Sequence, residues 1–465
     1  MKKHTLEQIT IFISIAKWLF LSSVIGIVIG ASVTLFLKIL QFSEQNQDTL
    51  PFPHYYLLPF ALVATVWVVT KFAPDAEGHG TEKVIEAVHK KHGKIDIAVI
   101  PIKLLATVMT IFTGGSVGKE GPGAQIGAGM ASFVSDLFHF TKEDRKKLVI
   151  CGIGAGFASV FGTPIAGAIF GVEVLIIGLI RYDVLLPSFI AGFAAFTTAQ
   201  YLGIEYTYFD INFHQRIALD FPLIVQVVLA GLFFGFISDF TITFIKRTHR
   251  TIKKIPINIY IKAFLGGSTL VLLSFVVGDQ YFGLGVGTID NALQPSQALA
   301  QNIPWYAFIL KTLFTSITLA SGGSGGVVTP IFYIGATSGN WFGSAMGGEH
   351  LAFFGALGFV SVLAGTTNSP IAATIMAMEL FGIEMAHYAA ISVVISFLMT
   401  GHRSVFPSQI LAMKKSDMLD IKTGDSIEDT TVSILDEDIN KIRDISKRLQ
   451  LKREKRNEKP KSRTP

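Results

Sequence analysis

Cysteine is almost absent from this chain of 465 residues. The lone Cys151 excludes an internal disulfide and any paired-cysteine metal site, and it reads as a small apolar residue inside the fold. Charge is scarce as well: 16% of residues are Asp, Glu, Lys or Arg, against about 25% in a soluble domain. No HExxH string occurs and the histidines are scattered, which argues against a zinc hydrolase; neither metal nor cofactor is expected. The net charge of +5 gives no reason to expect nucleic acid, because much of it lies in the basic tail Lys441 to Pro465. Such a tail is expected to be disordered and cytoplasmic, near anionic lipid. The N-terminus, Met1-Lys2-Lys3-His4, is basic too, which predicts both ends on the cytoplasmic side of the cell membrane.

What is abundant is apolar sequence. Half of the residues are hydrophobic, and apolar runs recur from Ile9 almost to Met399. The pattern predicts an all-α polytopic membrane protein. The first run, about Ile9 to Leu40, is too long for a cleaved signal and carries no clear cleavage site, so it reads as a membrane helix. Many later runs fall short of the ~20 residues that span hydrocarbon, which predicts tilted or broken helices. The expected division is a cytoplasmic N-terminus (1–8), a first membrane repeat (9–205), a linker (206–220), a second repeat (221–413) and a cytoplasmic tail (414–465). Thr141 to Lys147 reads as an exposed loop with Thr141 as an N-cap, Lys246 to Lys254 as a basic loop, and the segment from Gly287 to Gln301 as a polar loop. Ile427 to Arg448 is a candidate amphipathic helix, with a disordered charged tail as the alternative.

Gly114-Gly-Ser-Val-Gly-Lys-Glu-Gly-Pro122 interrupts this apolar background at what should be mid-membrane. Irregular backbone at that depth is tolerated where it is buried in protein or lines a cavity. Gly121-Pro122 suits a helix start, and a helix N-terminus presents N–H groups and positive dipole to an anion. Glu120 then reads as a built-in competing anion, since an intramembrane carboxylate is costly and marks function. The plainer alternative is a glycine-rich turn with Lys119 and Glu120 as a solvated pair.

The halves repeat this pattern. Gly114 to Pro122 overlays Gly322-Gly-Ser-Gly-Gly-Val-Val-Thr-Pro330, Ile126-Gly127 overlays Ile334-Gly335, and Pro164 to Glu173 overlays Pro370 to Glu379, at nearly one separation. A duplication with broken helices points to a transport site at the repeat interface. The overlay sets Glu120 against Val328, so the ionisable group belongs to one half only. Glu173 and Glu379 are shared, which favours a structural or helix-end role for both.

At these residues the sequence resembles the CLC family of chloride channels and chloride/proton exchangers. Gly118-Lys-Glu-Gly-Pro122 fits that family's second signature, and Gly326-Val-Val-Thr-Pro330 fits the third, with Val328 in place of Phe. Ala155 to Glu173 and Gly401 to Gln409 fit the following helix run and the segment of the pore tyrosine, so the likeness spans about Ile9 to Met413. It implies a homodimer in the lipid bilayer, with a separate chloride or small-anion pore in each subunit. It also implies two inverted repeats of tilted and broken helices, with Glu120 as the gate. The anion-facing positions it implies are Gly78, His79, Gly80, Gly118, Lys119, Gly121, Val327, Val328 and Phe406.

The departures from the family pattern bear on mechanism. His79 stands for a serine and Phe406 for a tyrosine, so both side-chain hydroxyls are missing. Backbone N–H groups at Gly80, Val327 and Val328 then carry more of the coordination. His79 either offers a ring N–H to the anion or points away to the backbone. The inner glutamate of the proton exchangers is replaced by Val174, next to Glu173, which favours channel-like conduction. Exchange of chloride, or less expectedly fluoride, against protons is the alternative. A GxSxG string occurs around Ser116 and again around Ser324, without the strand-turn-helix setting of a hydrolase, so no enzyme is expected.

Overall fold

Apolar runs become helices, and glycine and proline set where each one stops. A computed structural model describes residues 3–209, 221–294, 303–348, 350–430 and 433–434. The first half contains α1 (Lys3–Gln45), α2 (Leu58–Phe72), α3 (Thr81–Lys90), α4 (Val99–Phe112), α5 (Glu120–Leu137), α6 (Lys142–Phe161), α7 (Pro164–Glu173) and α8 (Tyr182–Tyr201). The second contains α9 (Phe221–Lys254), α10 (Ile259–Val277), α11 (Val286–Leu293), α12 (Ala307–Ala320), α13 (Val328–Ala345), α14 (Leu351–Thr367), α15 (Pro370–Phe381) and α16 (Ala386–Met399). Strand is confined to two short pairs among the described residues. β1 (Ile176–Ile177) runs parallel to β2 (Ile410–Leu411), and β3 (Leu419–Asp420) antiparallel to β4 (Ser433–Ile434).

Five helices are long and apolar enough to cross a membrane: α1, α2 with the turn before it, α8, α9 and α10. Large apolar side chains such as Phe12, Phe20, Phe60, Phe236 and Val276 lie exposed on them. In water such a surface is an aggregation hazard, whereas in hydrocarbon it needs no partner. Helices α4 and α12, with 14 residues each, reach only about 21 Å at 1.5 Å per residue, short of the ~30 Å hydrocarbon layer. Each ends at a glycine break inside the protein.

The halves are related by a two-fold exchange of contacts. Gly118 N–H donates to Gly326 O at 2.6 Å, and Gly326 N–H to Gly118 O at 2.5 Å. Ser116 N–H donates to Thr318 Oγ1 at 3.2 Å, and Ser324 N–H to Thr110 Oγ1 at 3.1 Å. In each pair of bonds the two donors are repeat-equivalents and so are the two acceptors, and reciprocity of this kind is what a two-fold axis between the halves generates. The architecture is therefore two inverted repeats. Within each repeat, glycine lets one helix pair touch backbone to backbone: α5 on α6 through Gly127 and Gly152, α13 on α14 through Gly335 and Gly358. An added Cβ at Gly127 would stand 2.5 Å from Gly152 O.

Several boundaries differ from the sequence reading, for identifiable reasons. The basic stretch Lys246 to Lys254 is not a loop but the end of α9, where cations suit the negative pole of the helix dipole. The charged stretch after Thr141 is the first turns of α6. Thr141 does cap it, its side chain accepting from Asp144 N–H at 3.1 Å. α11 occupies part of the expected loop after Gly287, and α3 a charged stretch with no long apolar run to betray it. α1 begins at Lys3, inside the expected N-terminal segment. Residues 414–430 are folded against the helices rather than free: Ile421 and Ile427 are buried with Ile177 and Leu411. Ser433–Ile434 form a strand where an amphipathic helix was expected, since they pair with the edge of β3. Most of the linker (210–220) and the tail beyond 434 lie outside the described residues. Cys151 is buried in α6, and the Ser188 hydroxyl donates to its sulfur at 3.6 Å.

Candidate anion-transport site

Glycine is what lets three helix N-termini meet. Gly80, the N-cap of α3, has φ 81, in the left-handed region that glycine adopts without strain. A Cβ there would lie 2.5 Å from Gly121 O. One on Gly326 would lie 2.8 Å from Gly121 N, and one on Gly121 would strike His79 O. The starts of α3, α5 and α13 are thereby packed together around the Gly118–Gly326 exchange. Pro122 and Pro330 occupy the third position of α5 and α13 and lack an N–H.

Glu120, the first residue of α5, is 1% exposed and its carboxylate crosses to the other repeat. Thr329 N–H, in the first turn of α13, donates to its Oε2 at 3.0 Å. Thr329 Oγ1 lies 2.5 and 2.6 Å from its two oxygens and, having one hydrogen, donates to one of them at a time. The carboxylate thus sits where the N-terminus of α13 would receive an anion. Lys119 is the N-cap of α5, half-buried, and its charge acts on both Glu120 and Glu44. Val327 is the N-cap of α13, and both it and Val328 are buried.

His79 and Phe406, from opposite ends of the chain, are brought together with ring centroids 5.8 Å apart. Phe406 is fully buried, and its N–H is taken by Ser404 Oγ at 2.9 Å. His79 Nδ1 is buried with no hydrogen-bond partner. Gly78 leads into this corner with φ 76, and its carbonyl accepts from the Lys103 ammonium at 2.5 Å, as does Ala76 O at 3.1 Å. Lys103 is fully buried.

The positions considered for a proton route are arranged differently. Val174 is fully buried and apolar, and its carbonyl accepts from Gln409 Nε2 at 2.7 Å. The Glu173 carboxylate accepts from Ile371 N–H at 3.0 Å and Ala372 N–H at 2.8 Å, capping α15. Glu379 does the same for α7, through Ile165 and Ala166 at 3.0 and 2.8 Å. Both carboxylates are therefore occupied by helix-end donors. No group of three or more His, Cys, Asp or Glu suited to a metal occurs among the described residues.

Sequence reasoning passed over Thr329, Lys103 and Glu82. Thr329 was visible as the one polar side chain in Gly326-Val-Val-Thr-Pro330, and Lys103 as the one charge in its apolar run. Their partners lie far away in the chain, so no local pattern marks them.

Comparison with known proteins gives a consistent picture. The family model for voltage gated chloride channels matches residues 60–401. A "chloride/fluoride channel protein" of Pseudomonas syringae pv. tomato is 35% identical, over 88% of this chain and 90% of its own. A "voltage-gated ClC-type chloride channel" of Shigella flexneri is 27% identical, over 79% and 84%. The crystal structure of a CLC-type fluoride/proton antiporter superposes with a TM-score of 0.80 at 29% identity, over 85% of this chain and 98% of that one. A cyanobacterial Cl−/H+ antiporter, at 19% identity and TM-score 0.69, shares the fold.

Proposed function

We propose that this chain, which belongs to the CLC family of voltage gated chloride channels and related antiporters, exchanges a small anion for protons, taking fluoride ahead of chloride. Anion transport across the membrane is the family's activity; the coupling and the choice of anion are the proposal. One observation carries it: the Glu120 carboxylate occupies the N–H and hydroxyl cradle at the start of α13. An anion entering that cradle has to displace the carboxylate, and a displaced carboxylate in a buried site is favoured to leave carrying a proton. Fluoride is suggested by the names of the P. syringae relative and of the superposed antiporter. The same cradle, made of N–H and O–H donors without a fixed cation, suits a small, strongly accepting anion.

Passive conduction is the second reading, and Val174 is the observation that favours it: an apolar, fully buried side chain stands where exchangers of the family carry an inner carboxylate. A homodimer with one pore per subunit, in the cell membrane with both termini cytoplasmic, belongs to either reading.

The test is efflux from proteoliposomes with an anion electrode and a proton electrode in one chamber. Both readings carry net charge across the membrane, so valinomycin with potassium is present throughout; exchange predicts uphill proton uptake driven by fluoride efflux, and loss of that proton movement in Glu120→Gln. Fluoride efflux that moves no protons selects the passive reading.

A further inference from the structure

Glu82 is a second carboxyl close to the transport site. It lies in the first turn of α3, three residues after His79, on a helix whose Lys83, Glu86 and His89 are half-buried and whose Lys90 is exposed. Its Oε1 accepts from Ser408 N–H at 2.9 Å and from the Ser408 hydroxyl. Its other oxygen, Oε2, is buried and has no partner. A carboxylate oxygen shut away from water and from every donor is costly, and a proton on that oxygen removes the cost. Ser408 is two residues beyond Phe406, and the next residue, Gln409, donates to Val174 O. Glu82 therefore ties the strand of chain that carries Phe406 to the helix that follows His79, beside the position where the inner carboxylate is missing.

We propose that Glu82 is a second proton-binding group of the transport path, on the face that carries the C-terminal segment, and that protons reach Glu120 by way of it. The idea rests on the exchange reading above. Burial pushes the Glu82 carboxyl up to about 7, against the pull of the two Ser408 donors; Glu86 on the same helix and Glu428 on the C-terminal segment push it the same way. Lys246 on α9 is the cation that faces Glu82 and Glu428, with Arg250 and Arg403 beside it. The proton enters as an O–H on Oε2 while Oε1 keeps Ser408, so the latch holds in both states.

Glu82→Gln keeps an acceptor for Ser408 and removes the titration. In proteoliposomes at equal pH on both sides, protons moved per fluoride should fall by more than about tenfold in this variant. A ratio equal to that of the native protein overturns the proposal. Infrared difference spectra of the purified native chain give a readout independent of transport. A buried-carboxyl band that titrates near neutral pH should appear in the difference between the native protein and Glu82→Gln, and should persist when that difference is taken in the Glu120→Gln background. A band untouched by Glu82→Gln counts against the assignment even if fluoride and protons are coupled. If the native protein moves no protons, the exchange reading fails, and this band still decides whether Glu82 binds one.

Discussion

At the scale of the residue, buried polar atoms decide what this protein can do, because each is costly without a partner. His402, 5% exposed, shows the consequence for pH. Its Nε2 accepts from Lys415 N–H at 2.8 Å, which anchors the start of the C-terminal segment. The Lys415 ammonium donates to Asn368 Oδ1 at 2.6 Å and Phe397 O at 2.7 Å. Burial, aided by the charges of Lys415 and Lys414, holds the imidazole down to about 4. An unfolded histidine titrates near 6.5. Between about 6.5 and 4 the released segment takes up a proton that the docked one refuses, so docking weakens as pH falls through that window. Hydrogen exchange at the Lys415 amide, corrected for intrinsic rate, should be several-fold faster at pH 5 than at pH 7.5. In His402→Ala it should be fast at both. Of these buried polar groups, Glu120 stood out in the sequence, since a carboxylate in an apolar, glycine-broken stretch is costly. Thr329 and Glu82 did not: their meaning depends on partners 209 and 326 residues away.

At the scale of the element, proline and glutamate set the helix ends. Pro164 and Pro370 open α7 and α15, and each helix receives its N-terminal carboxylate from the other. A carboxylate on free N–H groups at the positive pole is a favourable cap. Glu173→Ala and Glu379→Ala should each cost about 1–2 kcal/mol, read as a lower unfolding temperature in detergent. Because both caps hold one helix pair, the double variant should depart from the sum of the singles. The sharing of these two glutamates between the halves already pointed to a helix-end role. That the capped end belongs to the other repeat was invisible, since nothing local to Glu173 refers to Ile371. The short helices α3 and α11 were overlooked for a related reason: their apolar residues are too few to stand out beside the long runs.

At the scale of the whole molecule, the two-fold relation extends to groups that the overlay of sequences did not reach. Lys311, the counterpart of Lys103, is also fully buried. Its ammonium donates to Tyr281 O at 3.1 Å and Gly283 O at 2.8 Å, holding the Gly283-Leu-Gly285 loop ahead of α11 as Lys103 holds Gly78-His-Gly80 ahead of α3. The loop held by Lys311 lines a cavity of about 290 Å3 with Glu44, Tyr55 and Asp279, whereas the loop held by Lys103 carries His79 to Phe406. Symmetric anchoring thus holds two loops in different surroundings. Lys103→Met and Lys311→Met each leave one buried and one part-buried carbonyl without its donor and should lower the unfolding temperature comparably. Lys103→Met should in addition cut anion flux by more than about tenfold, as loss of a positioned binding group does; equal losses of flux would mean that both loops serve transport. The sequence by itself determined that the chain lives in a membrane, that it is duplicated, and that Glu120 is a carboxyl which one half has and the other lacks, because hydropathy and spacing are local properties. Only the tertiary structure decided where that carboxylate rests, which glutamate caps which helix, and that Glu82 keeps one oxygen without a partner, because hydrogen bonds and burial depend on what the folded chain brings near.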